Sequence, residues 1–256
     1  MPFFPPLPLG QPIPASPHGV SCSLPTMRDV RGYEEKDPAT MQHLTSGYPR
    51  FVVHPFACRL AEHFVAVRPE LAGRTLWLTT SARMARALAD HLGGPPAGAV
   101  VFAAEGLDGV SHPVSPALWG RTKTFLQNLG GFLSSRAAES ALVRLGLLDS
   151  ATAETRFAGD AGAEIRRVLR RALPGASDAD LVLAPSGMNA IYAAFQASAE
   201  LQAARGRTVW LQLGWLYLDT IAILKKFTRS AADYVYIRDP LDQEAIARIF
   251  AQHGPR

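Results

Sequence analysis

Ala184-Pro185-Ser186-Gly187-Met188-Asn189-Ala190-Ile191 is the stretch on which the reading turns. Pro185 closes a short apolar segment, Ser186 is a helix-capping residue, and an apolar helical pattern follows. Met188, Ile191, Phe195 and Leu201 fall near one face of a helix over 188–204. Gly187 leaves the backbone of the first turn open to close approach. The free N–H groups there, at the positive end of the helix dipole, suit a phosphate. A plain capped helix would carry the same letters, so the stretch defines a helix start first and an anion site second.

Outward from it, strands and helices alternate. On the C-terminal side, 208–213 reads as a strand, 216–227 as a helix, 234–237 as a strand and 241–253 as a helix. On the N-terminal side, Thr75-Leu76-Trp77-Leu78-Thr79-Thr80 reads as a buried strand, with Ser81 capping a helix over 82–91 that Gly93-Gly94-Pro95-Pro96 stops. Residues 99–103 are a further strand candidate, 115–148 are helical with a break at Gly130-Gly131, and 161–173 form an amphipathic helix closed by Pro174-Gly175. Alternation of this kind predicts an α/β chain with a parallel-type sheet flanked by helices. The organisation expected is a Pro-rich, disordered stretch over 1–25, an α/β extension over 26–175, and the start of a large, truncated α/β domain over 176–256.

Composition excludes several classes. Hydrophobic residues are 48% and charged residues 19% of 256, enough for a core. The formal charge is +4, but the densest basic cluster, Arg166-Arg167 with Arg170-Arg171, reads as a solvated helix face, so no nucleic acid is expected. Cys22 and Cys58 make neither a disulfide framework nor a zinc site and read as reduced thiols of a cytoplasmic protein. The apolar stretch 209–224 is interrupted by Gln212 and Asp219 and is shorter than the roughly 20 residues a membrane span needs. His54, His63, His91, His112 and His253 are scattered, without metal-ligand spacing. No Walker, Gly-x-Ser-x-Gly or Gly-x-Gly-x-x-Gly sequence occurs.

Ser186-Gly187-Met188-x-Ala190-Ile191 is similar to the Ser-Gly-Met-x-Ala-Ile stretch of the cystathionine gamma-synthase and methionine gamma-lyase family, pyridoxal 5'-phosphate (PLP) enzymes of cysteine and methionine metabolism. Trp215-Leu216-Tyr217-Leu218-Asp219-Thr220 resembles that family's Leu-Tyr-Gly-Gly-Thr segment. Four further pieces look like the fungal-type cystathionine gamma-synthases: Val20-Ser21-Cys22-Ser23-Leu24-Pro25-Thr26, Gly32-Tyr33-Glu34-Glu35, Gly47-Tyr48-Pro49-Arg50-Phe51 and Leu133-Ser134-Ser135-Arg136-Ala137-Ala138-Glu139. The resemblance implies an aspartate aminotransferase-like, fold-type I transferase. It implies PLP as cofactor, Ser186, Gly187 and Met188 on the phosphate, Tyr217 stacked on the pyridine ring, a small amino-acid substrate, and a homo-oligomer for the full-length protein.

Two departures stand against it. The family's Tyr-x-Arg segment, which reaches a neighbouring subunit's cofactor phosphate, is replaced at the corresponding distance by Arg156-Phe157-Ala158-Gly159-Asp160, while Tyr48-x-Arg50 lies far upstream. The family's cofactor-binding lysine and its pyridine-pairing aspartate lie beyond the Tyr217 region, and none of Lys36, Lys123, Lys225 and Lys226 stands where that lysine should. No catalytic residue is therefore assigned. The resemblance implies either the front part of an enzyme whose lysine lies in sequence not included here, or a non-catalytic remnant of the fold acting as a binding or interaction module.

Overall fold

The computed structural model describes residues 6–44, 52–155 and 157–254. They fall into two units, Met1–Gln127 with Gly131–Thr155, and Asn128–Gly130 with Arg156–Arg256.

The first unit opens with a two-residue antiparallel pair, β1 (Pro12–Ile13) and β2 (Ser21–Cys22), within the stretch expected to lack structure of its own. Helices α1 (Met27–Glu35), α2 (Pro38–Met41) and α3 (Pro55–Val67) follow. Strand β3 (Arg74–Thr79) then leads into α4 (Ala82–Leu92), and β4 (Val100–Ala104) and β5 (Leu107–Pro113) form a hairpin. The long α5 (Pro116–Leu129) and α6 (Ser135–Arg144) complete the unit, except that Asn128 and Leu129 group with the second one.

Local chemistry explains these boundaries. Ser81 Oγ accepts the Met84 N–H at 3.2 Å, and Gly93, at φ 100°, ends α4 in the left-handed conformation glycine tolerates. Between the two caps, Met84, Ala85, Leu88, Ala89 and Leu92 are buried along one face. The β4–β5 turn is the dipeptide Glu105-Gly106, both at positive φ, a geometry that matches the twist of a tight hairpin.

The sheet order is β3-β5-β4, and every pairing is antiparallel. This corrects the parallel-type sheet expected from strand–helix alternation, because β5 inserts between the two strands read from the sequence. Leu76, Leu78, Phe102 and Leu107 pack with Leu60 and Phe64 of α3 and Leu142 of α6. On β5, buried His112 accepts the Trp77 indole N–H at 3.1 Å, and its Nδ1 lies 2.7 Å from the Pro113 carbonyl. A hydrogen-bonded imidazole thus serves where an aliphatic residue would be expected.

A second buried polar cluster ties the N-terminal segment down. His18 Nε2 lies 3.1 Å from Glu139 Oε2 and its Nδ1 lies 3.0 Å from Ser135 Oγ. Glu139 Oε1 accepts the Thr152 N–H at 3.0 Å and its hydroxyl at 2.5 Å. Burial alone would raise the Glu139 pKa. The Thr152 and His18 bonds outweigh it and hold the carboxyl below its ordinary value.

The second unit contains α7 (Ala161–Ala172), α8 (Gly187–Ala203), β6 (Trp210–Leu213), α9 (Leu218–Phe227), β7 (Tyr234–Ile237) and α10 (Gln243–His253). Strands β6 and β7 pair in parallel, Trp210 opposite Tyr234 and Leu213 opposite Ile237, with α9 as the crossover. Here the parallel expectation holds for two strands. The apolar segment at 181–184 is not a strand, and Val182 is exposed. Phe195 of α8 lies 4.6 Å from the Trp210 ring, and Tyr192 meets Phe227 of α9 edge-on at 5.1 Å. Gln212 is buried but satisfied, donating to the Gly214 carbonyl at 2.8 Å and accepting the Tyr234 hydroxyl at 2.6 Å.

Candidate cofactor site

The site begins at the first turn of α8. Ser186 is the N-cap in extended geometry. Its Oγ accepts the Asn189 N–H at 3.2 Å, and its carbonyl accepts the Ala190 N–H at 3.0 Å. That leaves the N–H groups of Gly187 and Met188 as the helix's own unclaimed donors at its positive end. A Cβ built on Gly187 meets no atom within 4 Å, so the backbone is open on that side. Met188 is buried, which anchors the turn.

Tyr217 occupies the N-cap position of α9, just after β6, and is half exposed rather than a core aromatic. Gly214, at φ 65°, turns the chain between strand and helix. In a parallel strand–helix–strand unit the helices start at the carboxyl edge of the strands, where ligands of such sheets collect. Tyr217 stands at that edge for β6.

A short segment tracked only as a helix break in the sequence joins the two helices. Gly130, at φ 65°, passes so close to Ser186 that a Cβ there would lie 2.3 Å from its Oγ. The Asn189 side-chain amide donates to the Leu129 carbonyl. Asn128 Nδ2 donates to Asp219 Oδ1 at 2.8 Å, and Lys226 Nζ donates to Asn128 Oδ1 at 2.7 Å. Residues 128–130 therefore touch the first turn of α8 and both ends of α9. Sequence reading missed this network. Its one signal was Asp219, an acid inside an otherwise apolar stretch, and it is indeed buried.

The lysines of this unit are both engaged. Lys225 lies 5.9 Å from the Tyr234 ring centroid, and Lys226 is held by Asn128. Burial lowers the Lys226 pKa, and nearby Asp219 opposes that shift in part. Tyr48 and Arg50 lie outside the described residues, as does Arg156. Phe157 is exposed. Among the described residues no group of His, Cys, Asp and Glu could hold a metal ion, and no helix is long and apolar enough to cross a membrane.

Comparison with known proteins gives this geometry its context. The chain is 38% identical, over 245 residues, to L-2-amino-4-chloropent-4-enoate dechlorinase/desaturase of Streptantibioticus cattleyicolor; the match covers 95% of the chain and 48% of that protein. It is 43% identical over 63 residues to the cystathionine gamma-synthase of Neurospora crassa, 24% of the chain and 10% of that enzyme. It is 42% identical over 55 residues to the cystathionine gamma-synthase of Saccharomyces cerevisiae, 21% of the chain and 9% of that enzyme. No family model and no solved structure matches. These relatives are fold-type I PLP enzymes, and the matches are consistent with the front portion of a protein of the PLP-dependent transsulfuration family. It spans about half the length of the dechlorinase/desaturase.

Proposed function

We propose that this chain supplies the phosphate- and ring-binding part of a PLP site, in a protein that acts at the γ carbon of a small amino acid. The observation that carries the reading is the first turn of α8: Ser186 holds the turn from below while the Gly187 backbone stays open. The residues present fit the group. The Gly187 and Met188 amides would hold the phosphate, aided by the helix dipole. Tyr217 would lie against the pyridine ring, where an aromatic face adds about 0.5–1.5 kcal/mol beyond burial. Gly130 would keep the Ser186 hydroxyl from swinging away from its cap.

When bound, PLP supplies an electron sink through which an amino acid can lose a proton and a γ substituent. The γ carbon is proposed because the dechlorinase/desaturase is named for an amino acid chlorinated at carbon 4, and cystathionine gamma-synthases displace a γ substituent of an activated homoserine ester. Within this chain the residues bind and orient. Lys226 is held by Asn128 and exposed Lys225 lies 5.9 Å from the Tyr234 ring centroid, and neither is assigned to proton transfer.

The test is titration of the purified chain with PLP and with pyridoxine 5'-phosphate, which lacks the aldehyde, followed by borohydride reduction and peptide mapping. Saturable binding of both, abolished by Gly187→Asp in a folded variant, and no single labelled lysine are expected. Absence of binding, or binding indifferent to Gly187→Asp, would overturn the phosphate assignment. A single labelled lysine would overturn the purely orienting role.

A further inference from the structure

A cavity of about 380 Å³ lies at the far end of α8 from the cofactor site. Ser198 lines it, and eleven residues separate Ser198 from Gly187, about 16 Å along the helix axis. Its size falls at the lower end of the roughly 300–1,000 Å³ typical of small-molecule pockets. The walls come from the last turns of α8 (Ser198, Gln202), the start of β6 (Trp210) and the end of α10 (Phe250, His253), with Arg207 at the rim.

The lining has a definite chemistry. Trp210 is backed by Phe195 at 4.6 Å, which stiffens one aromatic wall, and exposed Phe250 adds a second aromatic side chain to the lining. Among the described residues that line the cavity, Arg207 is the one formal charge and none is a carboxylate. Arg207 Nη1 donates to Gln202 Oε1 over a long 3.4 Å, so its guanidinium keeps donors to offer. His253 completes that end of the lining. Aromatic walls and a cation suit a planar ring bearing an acid group.

We propose that this cavity binds a small aromatic carboxylate, its ring between Trp210 and Phe250 and its carboxylate on Arg207. This site is separate from the PLP reading and does not depend on it.

The experiment titrates the full chain with 4-fluorobenzoate, observed by fluorine NMR line width, with 4-fluorobenzyl alcohol as the uncharged control. Saturable binding of the acid is expected, weakened at least tenfold in Arg207→Gln and unchanged in Gly187→Asp. The alcohol should bind at least tenfold more weakly than the acid. Arg207 is exposed, so Arg207→Gln should keep the wild-type melting profile. No saturable binding, or equal binding by wild type and a folded Arg207→Gln, would sink the proposal. Equal affinity for acid and alcohol would sink the carboxylate part.

Discussion

Asn128 stands between Asp219 and Lys226, donating to the first at 2.8 Å and accepting from the second at 2.7 Å. One neutral amide thus satisfies a buried carboxylate and an ammonium group that lie seven residues apart on α9. Asn128→Ala removes both contacts and withdraws a donor from buried Asp219. The expected loss is about 1–3 kcal/mol of stability, read from urea unfolding. Asn128→Asp should cost at least as much, since it sets two carboxylates against each other.

Gly130→Ala tests the contact with α8. It meets two obstacles, a left-handed backbone at φ 65° and a Cβ 2.3 Å from Ser186 Oγ. Left-handed geometry alone costs an ordinary residue about 1–2 kcal/mol. A larger loss is expected, accompanied by weaker binding of pyridoxine 5'-phosphate. A variant as stable as wild type would show that Ser186 has room to move.

Gly187→Ala should behave in the opposite way. Its Cβ meets nothing, and alanine favours a helix over glycine by at most about 1 kcal/mol. Stability should hold or rise slightly while phosphate-ester affinity falls, because the new methyl group stands where the ligand would approach. Unchanged affinity would argue that the phosphate does not come to this face of the turn.

Acid should weaken the first unit in two steps. Burial lowers the His54 pKa, with the Pro17 carbonyl opposing and His18 adding to the shift, so the folded state binds fewer protons than the unfolded chain. The stability this contributes is complete above the unfolded value, about 6.5, and is lost as pH falls toward the depressed one. Glu139 is also held below its ordinary value, so its share is present above about 4.3 and is lost at lower pH still. Urea midpoints between pH 7.5 and 3.5 should fall over both ranges. His54→Gln should remove the upper step alone.

Much of the framework was legible in the sequence because its signals are local. Ser81 and Gly93 bracket α4, and Ser186 starts α8, through cap chemistry that needs no tertiary partner. Strand β5 was not legible. Gly109, Ser111 and His112 break the apolar pattern, and they are buried only because Trp77 and the neighbouring strands satisfy or crowd them. Missing β5 turned an antiparallel sheet into an expected parallel one. Glu105-Gly106 was the overlooked cue, since a dipeptide ending in glycine between two apolar runs favours a hairpin. At the candidate site, Ser186 to Met188 and Tyr217 could be named from motifs. The 128–130 segment could not, because its partners lie about 60 to 100 residues away and only folding introduces them.

The second unit is discontinuous along the chain, and that has a practical consequence for dissecting it. A cut at 155/156 looks like a natural boundary, yet it discards Asn128, Leu129 and Gly130. The excised piece would keep the first turn of α8, proposed here to hold phosphate, and Tyr217, but lose the amide holding Asp219 and the carbonyl holding Asn189. Weak binding by such a piece would report the loss of that clasp, so a faithful minimal domain has to carry the three residues back in, for example as a grafted linker.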